Sequence, residues 1–371
     1  VPHDRIVSKA IEVRGLKISV TKVPIPVPFG PAFQGERIRK EDMYVELAGT
    51  ERPGFEYLTG KSMEEVEDGK IEVIGPEIDE VAEGSQLPLA FWVEVAGRQM
   101  QADFEPILER RLHDFMNMAH GVFHMGQRDI NWVRVSKEAK DKGLRFRHFG
   151  SIIHAKIHGE FGKIVDKVQM KIYTREKEVL DLIETARKVY RQRDERLAGL
   201  TDEAVETFYS CTLCQSFAPN HVCVITPERS GLCGAYNWLD GKAAHQINPT
   251  GANQPILKAQ VVDAAKGQWQ GINEFVFNAS HKTLQVFSAY SIIDNPMTSC
   301  GCFECISCVL PSTNGIMTVY RNFPGMTPSG MKFSTLAGTV GGGLQTPGFI
   351  GHSKRYVASN KFISAEGGAK R

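Results

Sequence analysis

No cysteine precedes Cys211, and seven follow it. Cys211, Cys214, Cys223 and Cys233 occupy one short segment, and Cys300, Cys302, Cys305 and Cys308 a second. Nothing else restricts the fold so strongly. Four thiols this close in sequence can converge on one metal or cluster, and the intervening turns must then bring them together. In a cytosolic chain of this size such cysteines point to metal ligands or free thiols, because cytosolic reductants keep thiols reduced. The uneven distribution also divides the chain into a cysteine-free and a cysteine-bearing part.

With 371 residues, 42% of them hydrophobic, the chain can bury a substantial core and is long enough for two or three domains. The 44 Lys+Arg residues against 43 Asp+Glu leave a net charge of +1, so overall charge argues for neither nucleic acid nor an anionic membrane as partner. His3, Asp4, Arg5, Lys9 and Glu12 interrupt the start, unlike a signal peptide. No later stretch reaches the apolar length of a membrane span. A soluble cytoplasmic protein is expected.

Short apolar runs such as Ile71–Ile74 and Leu89–Ala96, punctuated by Gly and Pro, read as strands. Ile107, Leu108, Leu112, Phe115, Met116 and Met118 recur at helical spacing around 104–120. The stretch 129–135 reads as a strand, Ser136 caps a short helix, and Gly143 ends it before a further strand at Leu144-Arg145-Phe146. Val168, Met170 and Ile172 alternate as in a strand. From Glu176 to about Leu197, Val179, Leu182, Ile183, Ala186, Val189 and Tyr190 form the apolar stripe of a helix whose other face is charged. That face reads as a solvent face or interdomain strut before a docking surface. Beyond it, Gly, Asn, Pro and Thr favour loops. The expected class is α+β (mixed α/β) in two domains, residues 1–175 and 176–371, the second loop-rich and metal-bearing.

Four thiolates suit zinc or a 4Fe-4S cube. Zinc sites typically use two compact pairs, whereas only Cys211 and Cys214 are so paired, and the irregular spacing favours the cube. Cys300-Gly301-Cys302 is more specific: two thiolates flanking a glycine can chelate a metal together with the deprotonated backbone nitrogens of Gly301 and Cys302. Such a planar N₂S₂ set favours low-spin nickel. Its thiolates keep lone pairs that can bridge to a second metal.

Cys211-Thr-Leu-Cys214-Gln-Ser-Phe217-Ala-Pro-Asn-His-Val-Cys223, Gly231-Leu-Cys233-Gly-Ala-Tyr-Asn-Trp238 and Pro296-Met-Thr-Ser-Cys300-Gly-Cys302-Phe-Glu304 closely resemble acetyl-CoA synthase of the carbon monoxide dehydrogenase complex. The likeness extends through Gly325–Gly330, Ser334–Gly338 and Gln345–Gly348, and back through His124–Asp129 and His148–Gly150. The resemblance implies that Cys211, Cys214, Cys223 and Cys233 hold a 4Fe-4S cube and that Cys214 bridges to a proximal nickel. Cys300 and Cys302 would join both nickels, and the distal nickel would also take the Gly301 and Cys302 nitrogens. It further implies that carbon monoxide, a methyl group from a methylated corrinoid iron-sulfur protein and coenzyme A combine to acetyl-CoA, with carbon monoxide dehydrogenase as a partner protein. Copper or zinc at the proximal position would give an inactive form. Phe217 and Trp132 match aromatics that the family places at the open face of the proximal nickel, with steric roles.

Bacterial members carry a large amino-terminal domain to which nothing here corresponds, and the family extends past Arg371, so a short form or a fragment is expected. Arg128 and Arg134, with Arg145 and Arg147, surround Trp132 in sequence; they read as contacts to coenzyme A phosphates, or as ordinary surface arginines. His221 reads as a hydrogen-bonding neighbour of the thiols. The glycines at 341–343 lack the Lys-Ser/Thr ending of a P-loop and read as tight turns around the cluster. Cys305 and Cys308 extend Cys302 into a Cys-x-x-Cys-x-x-Cys series, read as buried free thiols before a second cluster. The competing functions are an iron-sulfur electron-transfer protein and a structural zinc-binding module.

Overall fold

The computed structural model describes residues 23–27, 38–49, 51–120 and 132–368, with Arg5, Ser8, Lys9 and Glu12 nearer the amino terminus. Arg128 and the segment 124–129 lie outside the described residues.

In the amino-terminal half, β1 (Met43–Ala48), β2 (Gly54–Gly60), β3 (Ile71–Ile74), β4 (Ser85–Leu87), β5 (Leu89–Ala96), β6 (Trp132–Ser136) and β7 (Lys167–Tyr173) make two sheets, ordered β4-β1-β6 and β2-β5-β7-β3. In the larger sheet β2 and β5 run parallel, β5 and β7 antiparallel, and β7 and β3 parallel. Helices α1 (Glu105–His120), α2 (Lys137–Asp141), α3 (Phe146–Phe161) and α4 (Glu176–Glu195) accompany them.

The pleat of β5 explains the layering, because successive side chains point to opposite faces. Leu89, Phe91, Val93 and Val95 enter the main core beside Leu108, Leu112 and Phe115 of α1 and Phe149, Ile153 and Ile157 of α3. Ala90 and Trp92 turn the other way, to Val179, Ile183, Ala186 and Tyr190 of α4. Each large apolar side chain so buried contributes roughly 1.5–3 kcal/mol. This small core binds α4 to β2 and β5. The end of α4 is fixed by a buried ionic cluster. Arg193 donates to Glu105 Oε2 at 3.1 Å, Glu109 Oε2 at 3.3 Å and the Leu58 carbonyl at 3.3 Å.

Ser136 caps α2 by accepting from the Ala139 amide at 3.1 Å. The expected strand at Leu144–Phe146 is instead the entry to α3. Phe146, Phe149, Ile153, Ile157 and Phe161 recur at helical spacing and are buried. The Phe146 amide donates to Glu77 Oε1 at 2.6 Å, and His148 Nδ1 accepts from the Arg145 amide at 2.8 Å. Together they satisfy two amides at the helix start.

The carboxyl-terminal half is built from shorter pieces. β8 (Thr207–Cys211), β9 (Cys223–Ile225) and β10 (Pro255–Leu257) form an antiparallel sheet ordered β10-β8-β9. β11 (Val261–Asp263) pairs with β12 (Gln268–Trp269), and β13 (Cys305–Leu310) lies between β14 (Gly315–Tyr320) and β15 (Phe349–His352). Helices α5 (Trp238–Ile247), α6 (Gln270–Ala279), α7 (Phe333–Val340) and α8 (Lys354–Ala358) fill between them. The architecture is mixed α/β with several sheets. The main core runs through both halves, where α1 packs on α5. No helix among the described residues is long and apolar enough to cross a membrane.

Candidate metal centre

Strand pairing sets the first two thiols. In the β8–β9 register Cys211 lies directly opposite Cys223, a relation that holds Cα atoms about 4.5–5.5 Å apart. A 3₁₀ turn, Leu213–Ser216, follows β8 and presents Cys214, whose carbonyl accepts from the Phe217 and Ala218 amides at 3.2 and 2.9 Å. Cys233 sits in a loop closed by Gly231 N–H to Tyr236 O and Gly234 N–H to Gly231 O, both 2.8 Å. Gly234 has φ +70°, and a Cβ there would come within 2.5 and 2.7 Å of the Glu304 carboxylate oxygens. The Glu304 amide donates to Leu232 O at 3.0 Å, which draws the second cysteine segment against the first.

Gly301 has φ +127°, which favours glycine, and among the described residues no atom beyond its chain neighbours lies within 4 Å of where its Cβ would be. The other side of this segment is packed. Gly342 N–H donates to Cys300 O at 3.4 Å, Gly343 N–H to Ser299 O at 2.9 Å, and Ser299 Oγ accepts from Gly351 N–H at 2.8 Å. A Cβ on Gly343 would stand 3.2 Å from the His221 nitrogen, so these glycines let the loop pass between the Ser299–Gly301 and His221 segments. His221 is fully buried, with Nδ1 2.8 Å from Thr298 Oγ1 and Nε2 3.1 Å from Cys223 Sγ.

The two cysteine segments meet at Cys214 and Cys300. The Cys214 thiol donates to Cys300, which raises the pKa of Cys214 and lowers that of Cys300; His221 and the Cys302 amide also favour a Cys300 thiolate. Burial pushes Cys211 up to about 11 and Cys233 up to about 12, and drives Cys223 well above its ordinary value. The charge at Cys300 adds to all three shifts, against small opposing contributions such as the Asn253 amide at Cys211 and Arg110 beside Cys233. Thiols whose ionisation is opposed by burial and by one another fit a donor set that ionises onto a metal cation. Among the described residues no three of these sulfurs lie within 4.8 Å of one another, whereas four thiolates at ~2.3 Å from one zinc sit about 3.8 Å apart.

Cys302, half-buried, follows Gly301 directly, and Phe217, 44% exposed, adjoins Cys214. Trp132 and Arg134 lie on β6. The Trp132 indole and Arg134 Nε both donate to Glu46 Oε1 at 2.8 Å, Arg134 also reaches the Ile38 carbonyl at 3.0 Å, and its guanidinium covers the Trp132 ring at 4.5 Å. Cys305 and Cys308 do not join the other thiols as a third cysteine group. Three residues apart on β13, they point to opposite faces, and both are buried. Sequence reasoning missed Asn253, which contacts Cys211 and donates to the Ser210 carbonyl at 2.9 Å, and Arg110; neither lies in a motif that ties it to the cysteines.

A mixed α/β chain that gathers five cysteines, with a sixth adjoining them, is of the cysteine-cluster class. The family described as "CO dehydrogenase/acetyl-CoA synthase complex beta subunit" matches residues 25–179, and the family for the carboxyl-terminal region of the ACS/CODH beta subunit matches 190–371. The chain is 56% identical over 369 residues to carbon monoxide dehydrogenase/acetyl-CoA synthase subunit alpha of Moorella thermoacetica, covering 100% of this chain and 51% of that one. It is 46% identical over 347 residues to acetyl-CoA decarbonylase/synthase complex subunit beta of Methanopyrus kandleri, covering 94% and 74%. With subunit beta 1 of the same complex in Methanocaldococcus jannaschii the identity is 44% over 368 residues, covering 99% and 49%. The chain therefore belongs to the CO dehydrogenase/acetyl-CoA synthase beta-subunit family. It spans about half the length of two of these relatives and about three quarters of the third.

Proposed function

We propose that this chain is the acetyl-CoA-forming unit of such a complex, combining carbon monoxide, a methyl group from a methylated corrinoid iron-sulfur protein and coenzyme A. The hydrogen bond between Cys214 and Cys300 carries the reading, because it brings the four-cysteine segment into contact with the Cys-Gly-Cys segment. Cys211, Cys214, Cys223 and Cys233 would hold a 4Fe-4S cube. Cys300, Cys302 and the backbone nitrogens of Gly301 and Cys302 would hold the distal nickel, with Cys214, Cys300 and Cys302 bridging to the proximal one. When bound, this group supplies an electron-rich nickel at which carbon monoxide and a methyl group are joined and passed to a thiol.

The residues around it provide containment. Burial of Cys211, Cys214, Cys223 and Cys300 keeps water from the donor sulfurs, and His221 orients Cys223 through a hydrogen bond anchored on Thr298. The space beside Gly301 leaves one side of the chelate open to reactants. Phe217, exposed beside Cys214, shields that approach, and Trp132 gives the second aromatic wall when the halves close. Arg134, engaged by Glu46, holds the Trp132 ring and Arg145 is paired with Asp79, which leaves Arg128 and Arg147 for coenzyme A phosphate. Carbon monoxide dehydrogenase and the corrinoid protein are the partners this chemistry calls for, and the cytoplasm is its compartment.

The test is acetyl-CoA formation by the nickel-reconstituted chain from carbon monoxide, a methylated corrinoid donor and coenzyme A, alongside Cys302→Ser. Synthesis by the unaltered chain and its loss in the variant are expected. Undiminished synthesis by Cys302→Ser removes the chelate. Reversible redox change without acetyl transfer in nickel-loaded protein assigns the chain to electron transfer instead.

A further inference from the structure

Away from the thiols, α3 carries His154 and His158 one turn apart on the same face, the spacing that sets two imidazoles side by side. Their rings are 4.4 Å apart, and their Nε2 atoms lie 2.9 and 3.0 Å from one oxygen, Asp68 Oδ1. Among the described residues this is the one trio of His, Cys, Asp or Glu whose ligand atoms all lie within 4.8 Å of one another. Asp68 belongs to the loop before β3, 86 and 90 residues from its two partners.

The Val168 amide donates to the same Oδ1 at 2.9 Å. A carboxylate oxygen has two lone pairs, so two imidazole N–H groups and an amide overload it. If both Nε2 atoms instead turn lone pairs toward a shared cation, Asp68 keeps its amide bond and becomes the third ligand. Asp166, the other carboxylate in the field of His158, is paired with Arg98 at 3.2 Å. A cavity of about 550 Å³ opens against both histidines, lined also by Gly69, Ile71, Ser151 and Ala155.

We propose that Asp68, His154 and His158 form a second metal site, separate from the thiol centre, that takes a divalent late transition ion of the Zn²⁺ or Ni²⁺ class. Two imidazoles and a carboxylate are the borderline donors such ions prefer, and three protein ligands leave a fourth position facing the cavity. The ion ties the loop ahead of β3 to α3. An exposed carboxylate–histidine pair would by itself contribute little to stability, and a shared ion would account for the convergence of both rings on one oxygen.

The experiment uses protein whose thiol centre is already loaded with iron, sulfide and nickel, so that an added ion reports on nitrogen and oxygen ligands. Titration with Co²⁺ is read by its weak visible bands. One equivalent without thiolate-to-cobalt charge transfer, displaced by Zn²⁺, is expected. His154→Gln and Asp68→Asn should each weaken it by more than the roughly 10–100-fold typical of an outer-shell change, with circular dichroism unchanged. Absence of cobalt binding, or equal binding by wild type and both variants, overturns the proposal. Pulsed electron paramagnetic resonance of one Cu²⁺ equivalent in the unaltered protein decides independently of variant folding. Two coupled imidazoles support the site, and none refutes it.

Discussion

Replacing Gly351 by alanine tests the packing that holds the Cys-Gly-Cys segment from behind. Gly351 lies on β15 opposite Ile306, with ordinary backbone geometry, so alanine is penalised only by what its methyl meets. An ideal Cβ there would be 2.5 Å from Phe303 Cγ and 2.8 Å from Cε1. Carbon atoms pack at about 3.5–4.0 Å, so the ring must withdraw by about 1 Å. Phe303 is fully buried, edge-on to Phe333 with centroids 6.1 Å apart, and has no free volume to enter. Overpacking of this kind costs roughly 1–3 kcal/mol. Because Phe303 follows Cys302 directly, the displacement also reaches the chelate. Urea unfolding of Gly351→Ala, Phe303→Leu and the double variant gives the coupling, with nickel content as a second readout. The smaller leucine makes room, so the double variant should be more stable than the sum of the singles predicts, by about 0.5–3 kcal/mol. A single variant within about 0.5 kcal/mol of wild type, or strict additivity, would refute the argument.

The buried cluster at the end of α4 yields a second expectation. Arg193→Met leaves Glu105 and Glu109 without their shared cation and should lower stability by about 3–5 kcal/mol in urea unfolding. Changing both glutamates to glutamine in that background should restore much of the loss. The third concerns His352, which is buried between Ser307 Oγ at 2.7 Å and the Ser353 carbonyl at 3.1 Å. Burial lowers its pKa from 6.5 to about 3, with Arg229 adding to the shift and the Ser353 carbonyl opposing it. Its contribution to stability is present above pH 6.5 and is lost as pH falls toward 3, because the unfolded chain takes up the proton first. The slope reaches at most about 1.4 kcal/mol per pH unit. His352→Gln should flatten stability against pH across that window, and an unchanged slope would place the sensitivity elsewhere.

Features with a local cause could be read from the sequence. The stripe from Val179 to Tyr190 shows period 3.6 and buries one face of α4, and Val168, Met170 and Ile172 show period 2 in β7. The grouping of the first four cysteines was visible for the same reason, since short turns and one hairpin pairing bring them together. Features whose cause lies far along the chain could not be read. Leu144–Phe146 looked like a strand because its helix is capped by Glu77, 69 residues earlier. Arg134 looked available to a phosphate because Glu46, 88 residues away, carried no sign of pairing with it. Cys305 and Cys308 were read as buried free thiols, and strand β13 buries both and turns them to opposite faces.

The pairing of β8 with β9 bears on how the thiol centre is assembled. Cys211 and Cys223 are set opposite each other by main-chain hydrogen bonds of a sheet extended on its other edge by β10. Main-chain hydrogen bonds hold this framework, whereas in small zinc domains the ion is the condition for folding. If these cysteines hold the proposed cluster, two of its donors would be set in register by the sheet itself, and loading would be an insertion into a scaffold.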